Sequence, residues 1–164
     1  MVVSKAEVVN QNIEHQFFIC TIDQKFDYVV QFLESQGAAR GIVFVRTKAD
    51  AQAVARKLQA KNMAADAIHG DLDQKDRDKV MRAFKNEKVQ ILVATDISAR
   101  GIDIEGLGYV VHYQLPDQID YYTHRSGRTA RAGKRGISIS FVTKAELKTI
   151  AQIEKELNIK FFKV

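Results

Sequence analysis

The chain has 164 residues, which favours one domain with a full core, near the common domain size of roughly 100–150 residues. Its 46% hydrophobic and 27% charged residues are the ordinary profile of a soluble globular protein rather than a disordered one, and no apolar run approaches the roughly 18 residues that a membrane helix needs. The net charge of +5 is concentrated: Arg125, Arg128, Arg131, Lys134 and Arg135 lie between His124 and Arg135 without an acidic residue, and elsewhere 20 basic residues balance 20 acidic ones. Positive charge gathered beside glycines suits phosphate, although a charge run also reads as a solvated face.

The first sixteen residues lack a clear period and read as a linker or N-terminal extension, with the folded domain expected over 17–164. Met1 to Glu7 has no long apolar stretch after its charge, so a secretory signal is not expected. Phe17 to Ile22 predicts a strand. Lys25 to Gln36 predicts a helix with Phe26, Val29, Val30 and Leu33 on one face, closed by Gly37 as a left-handed cap. Ile42-Val43-Phe44-Val45 is an apolar run suited to a strand buried on both faces. Thr47-Lys48-Ala49-Asp50 then opens a helix bearing Val54 and Leu58.

The cycle repeats with a strand at Ala64 to His69 and a helix at Asp73 to Lys85 that turns Val80, Met81 and Phe84 inward. Strands are expected at Gln90 to Thr95 and Tyr109 to Tyr113. Pro116 falls just ahead of a short helix from about Gln118, where its fixed φ does little harm. Ile137 to Val142 is the last predicted strand, and Thr143-Lys144-Ala145-Glu146 caps a final helix carrying Leu147, Ile150, Ile153 and Leu157, whose end at Phe162-Lys163-Val164 reads as cut. Such alternation predicts an α/β domain, a mainly parallel sheet with helices on both faces, and ligands beyond the carboxyl ends of the strands.

Cys20 is the single cysteine, so no internal disulfide can form; it is expected to be buried, and the chain reads as cytoplasmic. His69 and His112 lie at strand ends without partners at metal-ligand spacing, so structural roles are expected and no metal site. The pairs Phe17-Phe18 and Phe161-Phe162 are expected to pack rather than stack on bases.

A phosphate loop of the G-x-x-x-x-G-K-[ST] type is absent. The nearest approach, Gly127 to Gly133-Lys134, has five intervening residues and Arg135 after the lysine. No Asp-Glu-Ala-Asp run for magnesium occurs either, so the chain is not a complete NTPase. Tyr121-Tyr122-Thr123-His124-Arg125-Ser126-Gly127-Arg128-Thr129-Ala130-Arg131-Ala132-Gly133 carries three arginines at helical spacing, a row if the helix persists to Arg131. Guanidinium groups are planar and fork-shaped, which suits phosphate oxygens, and the stretch itself offers no carboxylate to pair with them.

This stretch resembles the H-R-x-G-R-x-x-R element, motif VI, of DEAD-box RNA helicases. In the same order, Gly41 to Lys48 resembles motif IV, His69 to Arg77 the Q-x-x-R element, and Ala94 to Asp103 motif V. His124 and the Thr95-Asp96…Arg100-Gly101-Ile102-Asp103 pattern resemble DEAD-box rather than DEAH-type members. Two positions depart from the pattern: Ala130 stands where many members have glycine, and Ser126 where a larger apolar residue is common. Alanine suits a helix better than glycine, so the arginine geometry is expected to survive.

The resemblance implies a RecA-like three-layer domain, the C-terminal half of an ATP-dependent RNA helicase. Its partner would be the N-terminal RecA-like domain of the same protein, which holds most of ATP and Mg2+. It implies Arg128 and Arg131 as arginine fingers on the γ-phosphate, Asp103 on the ribose with Gly101 beside the nucleotide, and His124 and Arg125 as links to the opposite domain. Single-stranded or locally duplex RNA would meet Arg46, Thr47, Gly70, Gln74, Arg77, Thr95 and Arg100. Without the family, Thr47 and Thr95 read equally as caps, Arg77 as a surface arginine and Arg100 as an internal ion-pair partner. A stand-alone RNA-binding or regulatory module derived from a helicase, and a DNA helicase domain of the same superfamily, are the rival readings. The isolated chain is expected to hydrolyse no ATP.

Overall fold

The structure is a computed structural model that describes residues 12–130 and 134–164. Its elements in chain order are β1 (Ile13–Ile19), α1 (Ile22–Ser35), β2 (Gly41–Phe44), α2 (Lys48–Ala60), β3 (Ala65–Ile68), α3 (Gln74–Lys85), β4 (Ile91–Ala94), α4 (Asp96–Ala99), β5 (Tyr109–His112), α5 (Ile119–Ser126) and β6 (Gly136–Val142), then a 3-10 turn (Lys144–Glu146), α6 (Leu147–Leu157) and β7 (Phe161–Lys163). The strands form one parallel sheet in the order β3-β4-β2-β5-β6-β1-β7. A parallel sheet must be covered on both faces, and it is. Val43 and Val45 pack with Phe26, Val29 and Leu33 of α1 and with Val54 and Leu58 of α2. On the opposite face Ile42 and Phe44 meet Val80 and Phe84 of α3, while Tyr122, Ile150 and Ile153 of α5 and α6 cluster with Val142 and Phe161. The three-layer α/β architecture is thus the one expected.

Gly41 is compulsory for this packing: a Cβ there would lie 2.0 Å from the Tyr109 ring, so the buried tyrosine occupies the space of the missing side chain. Gly37, at φ +60, follows α1 in the left-handed conformation its position predicted.

Three elements differ from expectation. β1 begins at Ile13, inside the segment read as linker, because the strand's inward-facing third residue is a histidine and hides the alternation. His15 is buried with Nδ1 2.7 Å from the Tyr122 hydroxyl, so a polar side chain serves as a core position. Residues 1–11 of the expected linker lie outside the described residues. The last helix stops at Leu157, where Asn158 takes a left-handed cap (φ 53), and Phe161–Lys163 forms a strand beside β1 instead of a helical end. Finally, α5 ends at Ser126 with Gly127 as its cap, so Arg128 stands on a turn and the predicted helical row of arginines breaks after Arg125.

Candidate functional site

Because every strand runs the same way, the segments after β2, β3, β4 and β5 line one edge of the sheet. Three of the expected contact residues lie open there. Arg46 and Thr47 are exposed after β2, and Gly70 after β3. Thr47 also caps α2, its hydroxyl accepting the Asp50 N–H at 3.1 Å. The Arg46 N–H donates to Gln114 Oε1 at 2.7 Å, and its Nε donates to the Leu115 carbonyl at 2.8 Å, with Asp117 3.3 Å away. Lys48 and Asp71 form an exposed ion pair at 2.8 Å, and that bond holds the Asp71 carboxyl below its ordinary value. Gln74 is exposed on α3 with Nε2 donating to Asp78 at 2.8 Å, while Arg77 reaches back to the Ser98 carbonyl at 3.4 Å.

The segment after β4 is more closed than expected. Thr95 is buried as the N-cap of α4: its hydroxyl accepts the Ser98 N–H at 3.1 Å and lies 3.0 Å from the Ser98 hydroxyl. That cap engages the side chain on its own helix, so the capping alternative describes Thr95 here. Arg100 is exposed, its Nη2 donating to the Tyr121 hydroxyl at 3.1 Å and its guanidinium 5.7 Å from that ring. Gly101 takes φ +74, and Asp103 is exposed two residues on.

Arg125 is buried, with 1% of its surface exposed. Nε and Nη2 donate to the two oxygens of Asp96 at 2.7 and 2.8 Å, and Nη1 donates to the Gln114 carbonyl at 2.7 Å. Its guanidinium also lies 5.1 Å from the Phe44 ring. Arg125 therefore faces inward, with its guanidinium bound to Asp96 and Gln114 of its own domain. The carboxylate missing from its own stretch comes from the first residue of α4.

Arg128 is half-buried and laces the same loop from the other side. Nη2 donates to the Ala99 carbonyl at 2.7 Å and Nη1 to the carbonyls of Ile102 and Ile104, the latter at 3.4 Å. Burial pulls its guanidinium below the ordinary arginine value, against the opposing charges of Glu105 and Asp103. The stitching continues through the Leu107 N–H, which donates to the Arg128 carbonyl at 3.1 Å, and the Thr129 hydroxyl, which donates to the Leu107 carbonyl. His124 is exposed, with its ring 6.4 Å from that of Tyr121.

Both departures in this stretch have a local reading. Ser126 is buried with its hydroxyl 2.9 Å from that of Ser138, a bond that a large apolar side chain could not make. Ala130 stands outside a helix at φ +69, a conformation that favours glycine, so the helix-propensity argument does not apply to it. Arg131 lies outside the described residues.

The helicase conserved C-terminal domain matches residues 24–133 of this sequence. The chain belongs to that family. Its resemblance to DEAD-box members is equally clear. It is 37% identical over 156 residues to the DEAD-box ATP-dependent RNA helicase RhpA of Helicobacter pylori, covering 95% of this chain and 32% of RhpA. The fold matches a DEAD box protein from Methanococcus jannaschii with a TM-score of 0.88 at 40% identity, over 95% of this chain and 43% of that one. It also matches Dbp5 of S. cerevisiae bound to RNA and ADP BeF3, with a TM-score of 0.89 at 31% identity, over 100% of this chain and 44% of that one. This helicase C-terminal domain spans 31–39% of the length of the curated relatives it matches. The RecA-like α/β fold expected from the motifs is therefore shown.

Within this helicase domain, sequence reasoning missed the residues that hold the expected ones. Asp96 was legible only as part of a motif, although it directly follows the Thr95 cap. Gln114 and Tyr121 carry no motif, yet they fix Arg46 and Arg100. Among the described residues, no group of three or more His, Cys, Asp or Glu side chains could hold a metal, and no helix is long and apolar enough to cross a membrane.

Proposed function

We propose that this chain is the C-terminal half of an ATP-dependent DEAD-box RNA helicase. It binds RNA along its carboxyl edge and completes the ATP site when an N-terminal RecA-like domain closes on it. The observation that carries this reading is the lacing of Arg128 to the loop that bears Gly101 and Asp103. One guanidinium and one carboxylate, suited to a phosphate and a ribose, thus belong to segments tied to each other by hydrogen bonds. With Arg131, Arg128 acts as an arginine finger, and Asp103 contacts the ribose beside Gly101.

Catalysis of phosphoryl transfer rests on positioning and on charge placed where the transition state needs it, and an arginine finger contributes roughly a thousand- to a hundred-thousand-fold. Delivery by a separate domain makes hydrolysis conditional on closure. ATP and Mg2+ are held mainly by the N-terminal domain, so the isolated chain hydrolyses no ATP. Arg46, Thr47, Gly70, Gln74, Arg77 and Arg100 form the RNA track, where hydroxyls, backbone amides and guanidiniums suit a sugar–phosphate backbone without reading sequence. Thr95, whose hydroxyl, N–H and carbonyl are all bonded within its own turn, supports the track by capping the helix that leads to Arg100. His124 meets the opposite domain directly, and Arg125 acts on the interface through Asp96. The proposed site of action is cytoplasmic.

The test is RNA-stimulated ATP hydrolysis by the two-domain protein, with and without Arg128→Ala. Stimulation by RNA that collapses in the folded variant supports the finger. Activity indifferent to the substitution would refute it, and RNA binding without any hydrolysis would favour a binding module.

A further inference from the structure

The turn that carries Arg46 and Thr47 is tied to the rest of the edge by the side chain of Gln114. Its Oε1 accepts the Arg46 N–H at 2.7 Å and its Nε2 donates to Asp50 Oδ2 at 3.2 Å. Chemistry fixes this orientation of the amide, since a backbone N–H only donates and a carboxylate only accepts. The same residue's carbonyl accepts Arg125 Nη1 at 2.7 Å, and Arg125 in turn grips Asp96. Gln114 thus stands where the segments after β2, β4 and β5 and the helix α5 converge. The Asp50 carboxylate receives the Gln114 amide, while the Asp50 N–H is taken by Thr47.

We infer that Gln114 is a positioning residue for RNA binding: it sets the Arg46–Thr47 turn in the orientation in which the two residues meet the sugar–phosphate backbone. The inference rests on the RNA-binding reading above. Gln114 itself is half-buried, and Arg46 leads away from it toward solvent, with 46% of its side chain exposed and its Nε anchored on the Leu115 carbonyl. Both the backbone and the side chain of Arg46 are therefore referenced to the end of β5. Displacement of the turn removes a phosphate contact without touching the nucleotide-facing loop. Productive contacts need supporting groups that hold them to a fraction of an ångström. Only a side chain offering an acceptor and a donor at this reach satisfies both neighbours.

The chemistry supplies a charge-matched test. Gln114→Met keeps the length and net charge but loses both bonds. The double exchange Gln114→Glu with Asp50→Asn also keeps the net charge, and it restores both bonds: the carboxylate accepts from the Arg46 N–H and from the new amide. Binding of a short fluorescent oligouridylate is measured by anisotropy at low salt, for this chain and for the two-domain protein, with thermal unfolding recorded for each variant. Gln114→Met is expected to weaken binding roughly tenfold and to lower the slope of log Kd against log salt by about one phosphate contact. The double exchange is expected to bind within about twofold of the parent, the restoration a double-mutant cycle would report.

Equal binding by parent and Gln114→Met overturns the inference, as does weak binding by a folded double exchange, which can be judged even if Gln114→Met fails to fold. A parent that binds no oligouridylate at low salt overturns the RNA-binding reading itself, an outcome visible before any variant is compared.

Discussion

Arg125 and Asp96 face each other in fork-to-fork geometry beneath the carboxyl edge, with N–O distances of 2.7 and 2.8 Å and 1% and 17% of their side chains exposed. A buried pair of this kind is costly to break, because removing one partner strands the other's charge. Arg125→Ala should therefore destabilise the domain by about 3–5 kcal/mol, since Asp96 and the Gln114 carbonyl lose their donor together. Arg125→Lys should recover only part of this, because an ammonium cannot reproduce the fork. Urea unfolding of the isolated chain measures both, and a loss below about 1 kcal/mol for the alanine variant would contradict a structural role.

Arg128 differs in kind, because its partners are neutral carbonyls. Arg128→Ala should cost about 1.5–3 kcal/mol of stability, the range for hydrogen bonds to a charged donor. In the two-domain protein the same change should lower RNA-stimulated ATP hydrolysis by roughly a thousandfold or more. The two readouts separate the roles. A stability loss with unchanged turnover per folded molecule would leave Arg128 as a brace for the Gly101–Asp103 loop and nothing more.

The fold was legible because each buried strand is a short apolar run and each helix carries its apolar face at helical spacing, as in Ile42–Val45 and Phe26, Val29, Val30 and Leu33. β1 was partly hidden because His15 occupies a core position, where its Nδ1 lies 2.7 Å from a hydroxyl distant in sequence, that of Tyr122. The strand Phe161–Lys163 is too short for a period to register, and its pairing with β1 is non-local. The site was legible as a set of motifs but not as a set of contacts. Nothing local distinguishes Arg125, which turns inward to Asp96, from Arg100, which turns outward to Tyr121. Partners far apart in sequence decide that, and so does the break of the helix at Gly127.

Ala130 gives a prediction of opposite sign. At φ +69 its Cβ crowds the backbone, a conformation that costs an L-residue about 1–2 kcal/mol. Glycine removes that strain but adds about 0.4–1 kcal/mol of unfolded-state entropy to be lost. Ala130→Gly should thus stabilise the domain by about 0.5–1 kcal/mol, which is about 1–4 °C in unfolding temperature for a domain of this size. A fall in that temperature would mean that the φ value does not reflect strain.

His112 should make the domain sensitive to mild acid. It is fully buried, with Nε2 2.8 Å from the Ser138 hydroxyl, Nδ1 3.3 Å from Arg125 Nη1 and its ring stacked 4.7 Å from Tyr122. Burial, then the Arg125 charge, then His15 hold its pKa well below the ordinary 6.5. The unfolded chain takes up this proton as the pH drops through about 6.5 while the native protein does not, so acid favours unfolding. The associated stability is complete above that value and declines below it, by up to about 1.4 kcal/mol per pH unit, until the native pKa is reached. Between pH 7.5 and 5.5 the expected loss is about 1.4 kcal/mol. Urea unfolding of the parent and of His112→Asn at both values isolates the effect, because the other titrating groups are common to the two proteins. The parent should lose more stability than the variant across the interval, and parallel curves would show that His112 takes up its proton equally in both states.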